Sequence, residues 1–282
     1  MSLSFQFLKT VAQREGSTRP LALIRIGIVL LLWNKFGKDI GVFAAENASY
    51  LMISLLFFLF STLTLIGFRT RAAAAGLFFT VFLIYHFYGF VLDHWEWTHH
   101  HVYMLMFGCF VLMISPCGRS YSVDRYLRIR RAAQKGENPP AERGALWAQS
   151  LIPLQMSALY FWAAYDKTIP AYFKGEWLER VLEWGYAGHP FYEVITLPAL
   201  IIAASLMVLV IEYYLAVAVL YRLWPKITYP LGIGLHLCFA LLLNVDTYSL
   251  TMILFYLALL NPDRVHIFID ELQGQGPVRR PA

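Results

Sequence analysis

Residues 93 to 103 read DHWEWTHHHVY, which sets four histidines, two carboxylates and two tryptophans between long apolar runs. Three kinds of chemistry suit such a set. Solvated histidines beside tryptophans would form a polar, aromatic belt at a membrane surface. Gathered by a loop, three or four of His94, Glu96, His99, His100 and His101 would hold one zinc or iron ion. In the third case one histidine works beside a lysine base. Lys167 is the candidate, because it closes the apolar, aromatic run SALYFWAAYDK, where desolvation favours the neutral amine. An amine tuned in this way serves as a general base near neutral pH. Asp166 beside it pulls the other way unless it points elsewhere.

Composition identifies the scaffold that must carry these groups. Of 282 residues, 59% are hydrophobic and 15% charged, against roughly 25% charged in an ordinary soluble domain. Mean hydropathy is +0.54. The apolar residues concentrate in eight runs, at about 20–36, 47–68, 72–92, 100–117, 146–166, 196–221, 228–244 and 247–261. Such runs match the ~20 residues that carry a helix across a hydrocarbon core. The chain therefore reads as all-α, a polytopic membrane helical bundle of about eight transmembrane helices. With the N-terminus inside, 17 Lys and Arg residues fall on inner segments and five on outer ones, with Arg25 inside a run. Basic residues collect in cytoplasmic loops, so both the N- and C-termini are expected in the cytoplasm. The histidine stretch and Lys167 then share the outer face.

This organisation divides the chain further. Residues 1–19 read as an amphipathic interfacial segment without a signal peptide, with Leu3, Phe5, Phe7, Leu8 and Val11 on one side. Residues 20–262 form the bundle. Within it, 118–145 is a basic cytoplasmic loop that ends in GENPP and anchors the orientation against anionic lipid. Residues 168–195 form an outer amphipathic lid, and 263–282 a cytoplasmic tail. The three cysteines, Cys109, Cys117 and Cys238, lie in or at the ends of apolar runs, which excludes a secreted disulfide framework. Membrane topology accounts for the net charge of +5, and no nucleic-acid partner is implied.

Four ionisable residues fall inside runs: Arg25, His86, Glu212 and His236. Such groups face the bundle interior and are functional candidates by default. A buried charge needs a partner, so Arg25 and Glu212 are expected to pair. The two imidazoles are expected to hydrogen-bond across helices. Arg25 could instead hold an anionic group of a ligand.

The HWEWTHHH stretch is similar to one histidine box of the membrane di-iron desaturases. Those enzymes use several boxes, whereas His86, His189, His236 and His266 here are isolated. No metal is therefore the primary expectation. A site built from His94, Glu96, His99, His100 and His101 stands as the alternative.

A broader resemblance covers roughly residues 15 to 265. RPLALIRIGIVLLLW, WTHHHVYMLMFGCFVLMISPCGRSYSVDR, YFWAAYDK and IEYYLAVAVLYR…GIGLHLCFALLLNVDTYSLTMILFYLALLNPDR follow one another in order and spacing. Together they resemble the horizontally transferred transmembrane (HTTM) domain shared by the vitamin K-dependent gamma-carboxylase family and many bacterial relatives. The resemblance implies a lysine base that deprotonates a reduced quinone, which then reacts with dioxygen, and a histidine that assists. The lysine falls on Lys167 and the histidine on His101, with His100 in the polar position before it. In the family a tryptophan follows the lysine after about five residues. Here Trp177 follows after ten, across the extra residues IPAYF, which makes Lys174 a rival base. The family's large C-terminal lumenal domain has no counterpart here, so carboxylation of a propeptide-bearing protein is not expected.

The resulting expectation is an outward-facing pocket with Lys167 and His101 at its chemistry. Cofactor-binding roles fall to His100, Trp97, Tyr103, Trp177, Arg25 and His236. The expected cofactor is a reduced quinone of the vitamin K or menaquinol type, drawn from a bacterial inner (plasma) membrane into a pocket that faces the periplasm. This describes a quinol-linked oxidase or carboxylase-type enzyme, a gamma-carboxylase-like lyase. One alternative is a non-catalytic membrane subunit or scaffold that binds a lipid or quinone and a protein partner on its outer face. The second is a metal-dependent membrane oxidoreductase built on the histidine cluster.

Overall fold

Proline opens five of the helices among the described residues, at positions 20, 170, 198, 225 and 262. Its fixed φ suits the first helical turn, and the N–H it lacks would find no partner there anyway. The computed structural model describes residues 14–45, 48–243 and 245–274, with the side chains of Phe43, Glu96 and His100 outside that description. The interfacial segment expected before residue 14 lies outside the described residues, as does the end of the tail.

The described chain is a helical membrane bundle. Five helices are long and apolar enough to cross a membrane: Arg19–Val42, Ala48–Ile66, Thr70–Val91, Pro198–Tyr221 and Pro225–Leu242. The three runs expected at 100–117, 146–166 and 247–261 give shorter helices, His100–Ile114, Leu151–Asp166 and Asp246–Phe255.

The contacts divide the chain into two units. The first comprises residues up to Ile152 and from Leu260 on. It holds β1 (Glu15–Ser17), α1 (Arg19–Phe43), α2 (Ala48–Ile66), α3 (Thr70–Leu83), α4 (His100–Ile114), α5 (Val123–Gln134), β2 (Arg143–Ala145) and the C-terminal helix Pro262–Leu272. The π-helical turns Ile84–Val91 carry α3 on towards the histidine stretch. The core of this unit is apolar, with Phe36 edge-on to both Phe57 (6.0 Å) and Trp97 (6.2 Å). On α2, Leu51, Met52, Leu55 and Leu59 are exposed. A helix apolar on every side is built for lipid. The two short strands pair antiparallel, with Glu15 opposite Ala145 and Ser17 opposite Arg143.

The turn between α2 and α3 depends on left-handed backbone. Gly67 has φ +69°, and a Cβ there would sit 2.4 Å from Ser122 Cβ. Glycine alone meets both demands. Asp124, at the start of α5, then caps α3. Its carboxylate accepts from Arg69 N and Thr70 N at 2.8 Å and from Thr70 Oγ1 at 2.6 Å. Burial favours protonation of Asp124, but these hydrogen bonds outweigh it and hold the carboxyl below its ordinary range.

The second unit, Pro153–Leu259, contains most of α6 (Leu151–Asp166), then α7 (Pro170–Phe173), α8 (Glu176–Tyr186), α9 (Tyr192–Ile195), α10 (Pro198–Tyr221), α11 (Pro225–Leu242) and α12 (Asp246–Phe255). The residues expected as an outer lid are thus three short helices, α7 to α9. Ala164, Tyr172 and Leu209 form a buried cluster, with Tyr213 packed against it.

Candidate functional site

In the second unit, Lys167 lies one residue past the end of α6, and Glu212 lies in the middle of α10. The lysine Nζ donates to both carboxylate oxygens of Glu212, at 2.9 and 3.0 Å, and to the carbonyl of Ala163 at 3.1 Å. The Glu212 side chain is 4% exposed and the Lys167 side chain 22%. The carboxylate is therefore sealed in, while the amine opens towards the surface. Three donor directions for one ammonium, one of them a carbonyl, complete its hydrogen bonding.

The residues inserted after Lys167 complete this region. IPAYF folds into α7, which buries Tyr172 beside Glu212. Burial first, and then the negative charge of Glu212, push the Tyr172 hydroxyl pKa up. The Tyr172 ring lies 6.1 Å from that of Trp177, which is half exposed. Thr168 Oγ1 and Tyr213 Oη are 2.8 Å apart. Lys174 sits differently from Lys167. Its side chain is 70% exposed and 3.8 Å from Glu176, so nothing desolvates it.

Deeper in the same unit, Tyr160 Oη lies 2.7 Å from His236 Nε2 and 3.1 Å from Tyr256 Oη. The expected hydrogen bond from His236 to another helix is present. The His236 ring is edge-on to Phe239 and 5.5 Å from Tyr248. Its Nδ1 is buried and meets no hydrogen-bond partner among the described residues. Gly232 allows this packing, because a Cβ there would lie 1.6 Å from Tyr256 Oη.

The histidine stretch belongs to the first unit. His94 stacks on Trp97 at 4.8 Å and 21°, and its Nε2 hydrogen-bonds to Tyr50 Oη. Trp97 is fully buried, while Tyr103 is half exposed. The rings of His99 and His101 stack at 5.2 Å. Among the described residues no three His, Cys, Asp or Glu side chains gather to hold a metal ion. The side chains of Glu96 and His100 stand outside that statement.

Arg25 takes partners other than the expected Glu212. Its guanidinium donates to the carbonyls of Cys117 (2.6 Å), Ser120 (3.4 Å) and Tyr121 (2.6 Å), which follow α4. A planar fork of donors matches several carbonyls at once, and the carboxylate of Glu212 goes to Lys167 instead. His86 also departs from expectation. It is exposed, with its ring 4.3 Å from Phe82.

Sequence reasoning flagged Lys167, Glu212 and His236 separately but missed that the first two are a pair. It missed Tyr160, Tyr172 and Tyr256 altogether. A lone glutamate inside an apolar run demands a cation, and the lysine at a span end was the remaining candidate once Arg25 is spent on carbonyls.

The family model described as HTTM domain matches residues 34–263. There is no match among curated proteins and none among solved structures.

Proposed function

The chain belongs to the HTTM domain family, and from that premise we propose that it is a quinol-linked membrane enzyme whose base is Lys167. The observation that carries this reading is the bonding of Lys167 to Glu212, with the carboxylate buried and the amine open on one side. The same lysine occupies the position that the gamma-carboxylase resemblance gives to the base, and Lys174 stands in water.

In a poorly polar setting two opposite charges bear a large desolvation penalty. Passing one proton from Lys167 to Glu212 removes both charges and leaves a free amine beside the opening. That amine takes a proton from a ligand hydroxyl, and Glu212 keeps its own until the product leaves. A reduced quinone, when bound, supplies an ionisable ring hydroxyl and two electrons. The residues present suit such a group. The unpartnered Nδ1 of His236 is a hydrogen-bonding atom that a ligand oxygen would satisfy. Half-exposed Trp177, backed by the buried ring of Tyr172 at 6.1 Å, offers aromatic surface, the kind of wall an apolar ring needs. The resemblance gives His101 an assisting role, and His101 lies in the first unit.

The same proposal includes eight crossings, the five long helices with His100–Ile114, Leu151–Asp166 and Asp246–Phe255 as short spans, both termini cytoplasmic, and Lys167 towards the periplasm of a bacterial inner membrane. Single cysteines at the exposed positions Glu137 and Arg180 test this. Impermeant maleimide should label the second from outside and the first only after lysis. Labelling of both from one side would sink the topology.

Activity is tested by oxygen consumption with a reduced menaquinone analogue. The wild type should turn over, and Lys167→Met/Glu212→Gln should fold yet stay inactive. Full turnover by that variant would remove the lysine base. A second reading, a scaffold subunit, has one observation in its favour. Trp184 on α8 is 90% exposed, beside half-exposed Trp177, and exposed tryptophans anchor partners. Recovery of a stoichiometric partner by mild-detergent purification, with no quinol turnover, would favour it.

A further inference from the structure

At the end of the first unit where α2 meets α3, a cavity of about 760 Å³ is lined by Arg69, Arg71, Arg119, Arg128 and Arg131. One acidic residue, Asp124, shares the lining. Its carboxylate is already occupied by the backbone of Arg69 and Thr70 and by the Thr70 hydroxyl. Among the described residues none of the five arginines makes an ion pair within 4.0 Å. Three are held in place by backbone carbonyls. Arg71 donates to Ser115, Arg119 to Arg143, and Arg128 to Gly118 and Asp124.

Like charges held around one hollow repel unless an anion joins them. At Arg128 burial first, and then the charge of Arg119, draw the guanidinium below its ordinary pKa. Apolar groups line the same hollow, with Phe68 exposed in the turn and Leu127 on α5. The cavity lies at the ends of membrane-length helices, which is the depth of lipid headgroups. Five arginines and one carboxylate already satisfied leave room for more than one negative charge.

We propose that this cavity is a binding site for phosphate, taken from the headgroup of an anionic phospholipid. The rim of Phe68 and Leu127 favours the lipid over free phosphate, since it offers a seat for the first acyl carbons. The site is independent of the Lys167 chemistry, because every residue in it belongs to the first unit.

The test uses the purified full chain in neutral detergent and reads thermal unfolding against three added ligands: short-chain phosphatidylglycerol, short-chain phosphatidylcholine and inorganic phosphate. Phosphatidylglycerol should stabilise, with the effect fading as salt rises, and phosphatidylcholine should not. Equal stabilisation by inorganic phosphate would keep the phosphate site but assign it to the free ion. The variant Arg69→Asn/Arg131→Gln removes two charges whose side chains hold no other described bond, and asparagine suits the left-handed backbone at 69. It should bind phosphatidylglycerol roughly thirtyfold more weakly. If the pair does not fold, Arg131→Gln on the exposed side of α5 gives the same contrast at about fivefold. Absence of stabilisation by either anion, or undiminished binding in these variants, overturns the proposal.

Discussion

Lys167 bridges both carboxylate oxygens of Glu212, 45 residues further along the chain, at 2.9 and 3.0 Å. The two partners differ in exposure, 22% against 4%, so removing one is unlike removing the other. Lys167→Ala leaves a buried carboxylate without its cation and should cost about 3 kcal/mol. Lys167→Met/Glu212→Gln removes both charges and should recover most of that loss. Thermal unfolding of the two variants in detergent checks the order, and a double variant weaker than the single would refute the pairing.

Tyr160 is the only described hydrogen-bond partner of His236. Tyr160→Phe therefore leaves a buried imidazole nitrogen unsatisfied on each side of the ring, at a cost of about 1–3 kcal/mol. His236→Phe in the Tyr160→Phe background should add much less than it does alone. Additive losses in that double-mutant cycle would show that the hydrogen bond contributes little.

Arg25 joins α1 to the segment after α4 through carbonyls at 117, 120 and 121. Lysine cannot span those acceptors, because its donors radiate from one point. Arg25→Lys should lose about 2 kcal/mol and expose the 117–121 segment to limited proteolysis. Cleavage unchanged from wild type would contradict the role given to the guanidinium.

Asp124 makes the stability of the first unit depend on acid. Its folded-state pKa lies below the ordinary value of 3.8. The contribution is thus fully present above that value and is lost as pH falls through the folded pKa. Asp124→Asn replaces a charged acceptor of three hydrogen bonds and should be less stable than wild type at neutral pH, by about 1–2 kcal/mol, and the gap should narrow as pH falls below 3.8 and through the folded pKa. A gap that stays constant down to pH 3 would argue against the cap.

The bundle and the family were legible because long apolar runs and ordered motifs survive in one dimension. Arg25, Glu212 and His236 stand out as polar residues in such runs, and each is buried. Their partners were not legible. Arg25 is satisfied by carbonyls, which every residue carries, so no residue type marks them. Glu212 meets Lys167 only because α6 and α10 lie side by side in the fold. The short strands Glu15–Ser17 and Arg143–Ala145 carry too few residues to show a period. Trp97 was expected to face a ligand and instead fills the core against Phe36, a distinction that aromatic content alone does not make.

Arg19 has consequences for the order in which the chain can be completed. Its guanidinium holds Glu142 and Asp270 at 2.6 Å and the carbonyl of His266 at 3.1 Å. Ser17 N and Arg143 meet the same Asp263. The start of α1 is thus fastened twice, by Glu142 just before β2 and by Asp270 on the helix Pro262–Leu272. During synthesis Arg19 can meet Glu142 as soon as residues 142–145 are made, whereas Asp270 follows Arg19 by 251 residues, so the first unit is latched in two steps. Until the helix Pro262–Leu272 is made, Arg19 is held by Glu142 alone and Ser17 N and Arg143 lack Asp263, so the two short strands form before the contacts that lock them.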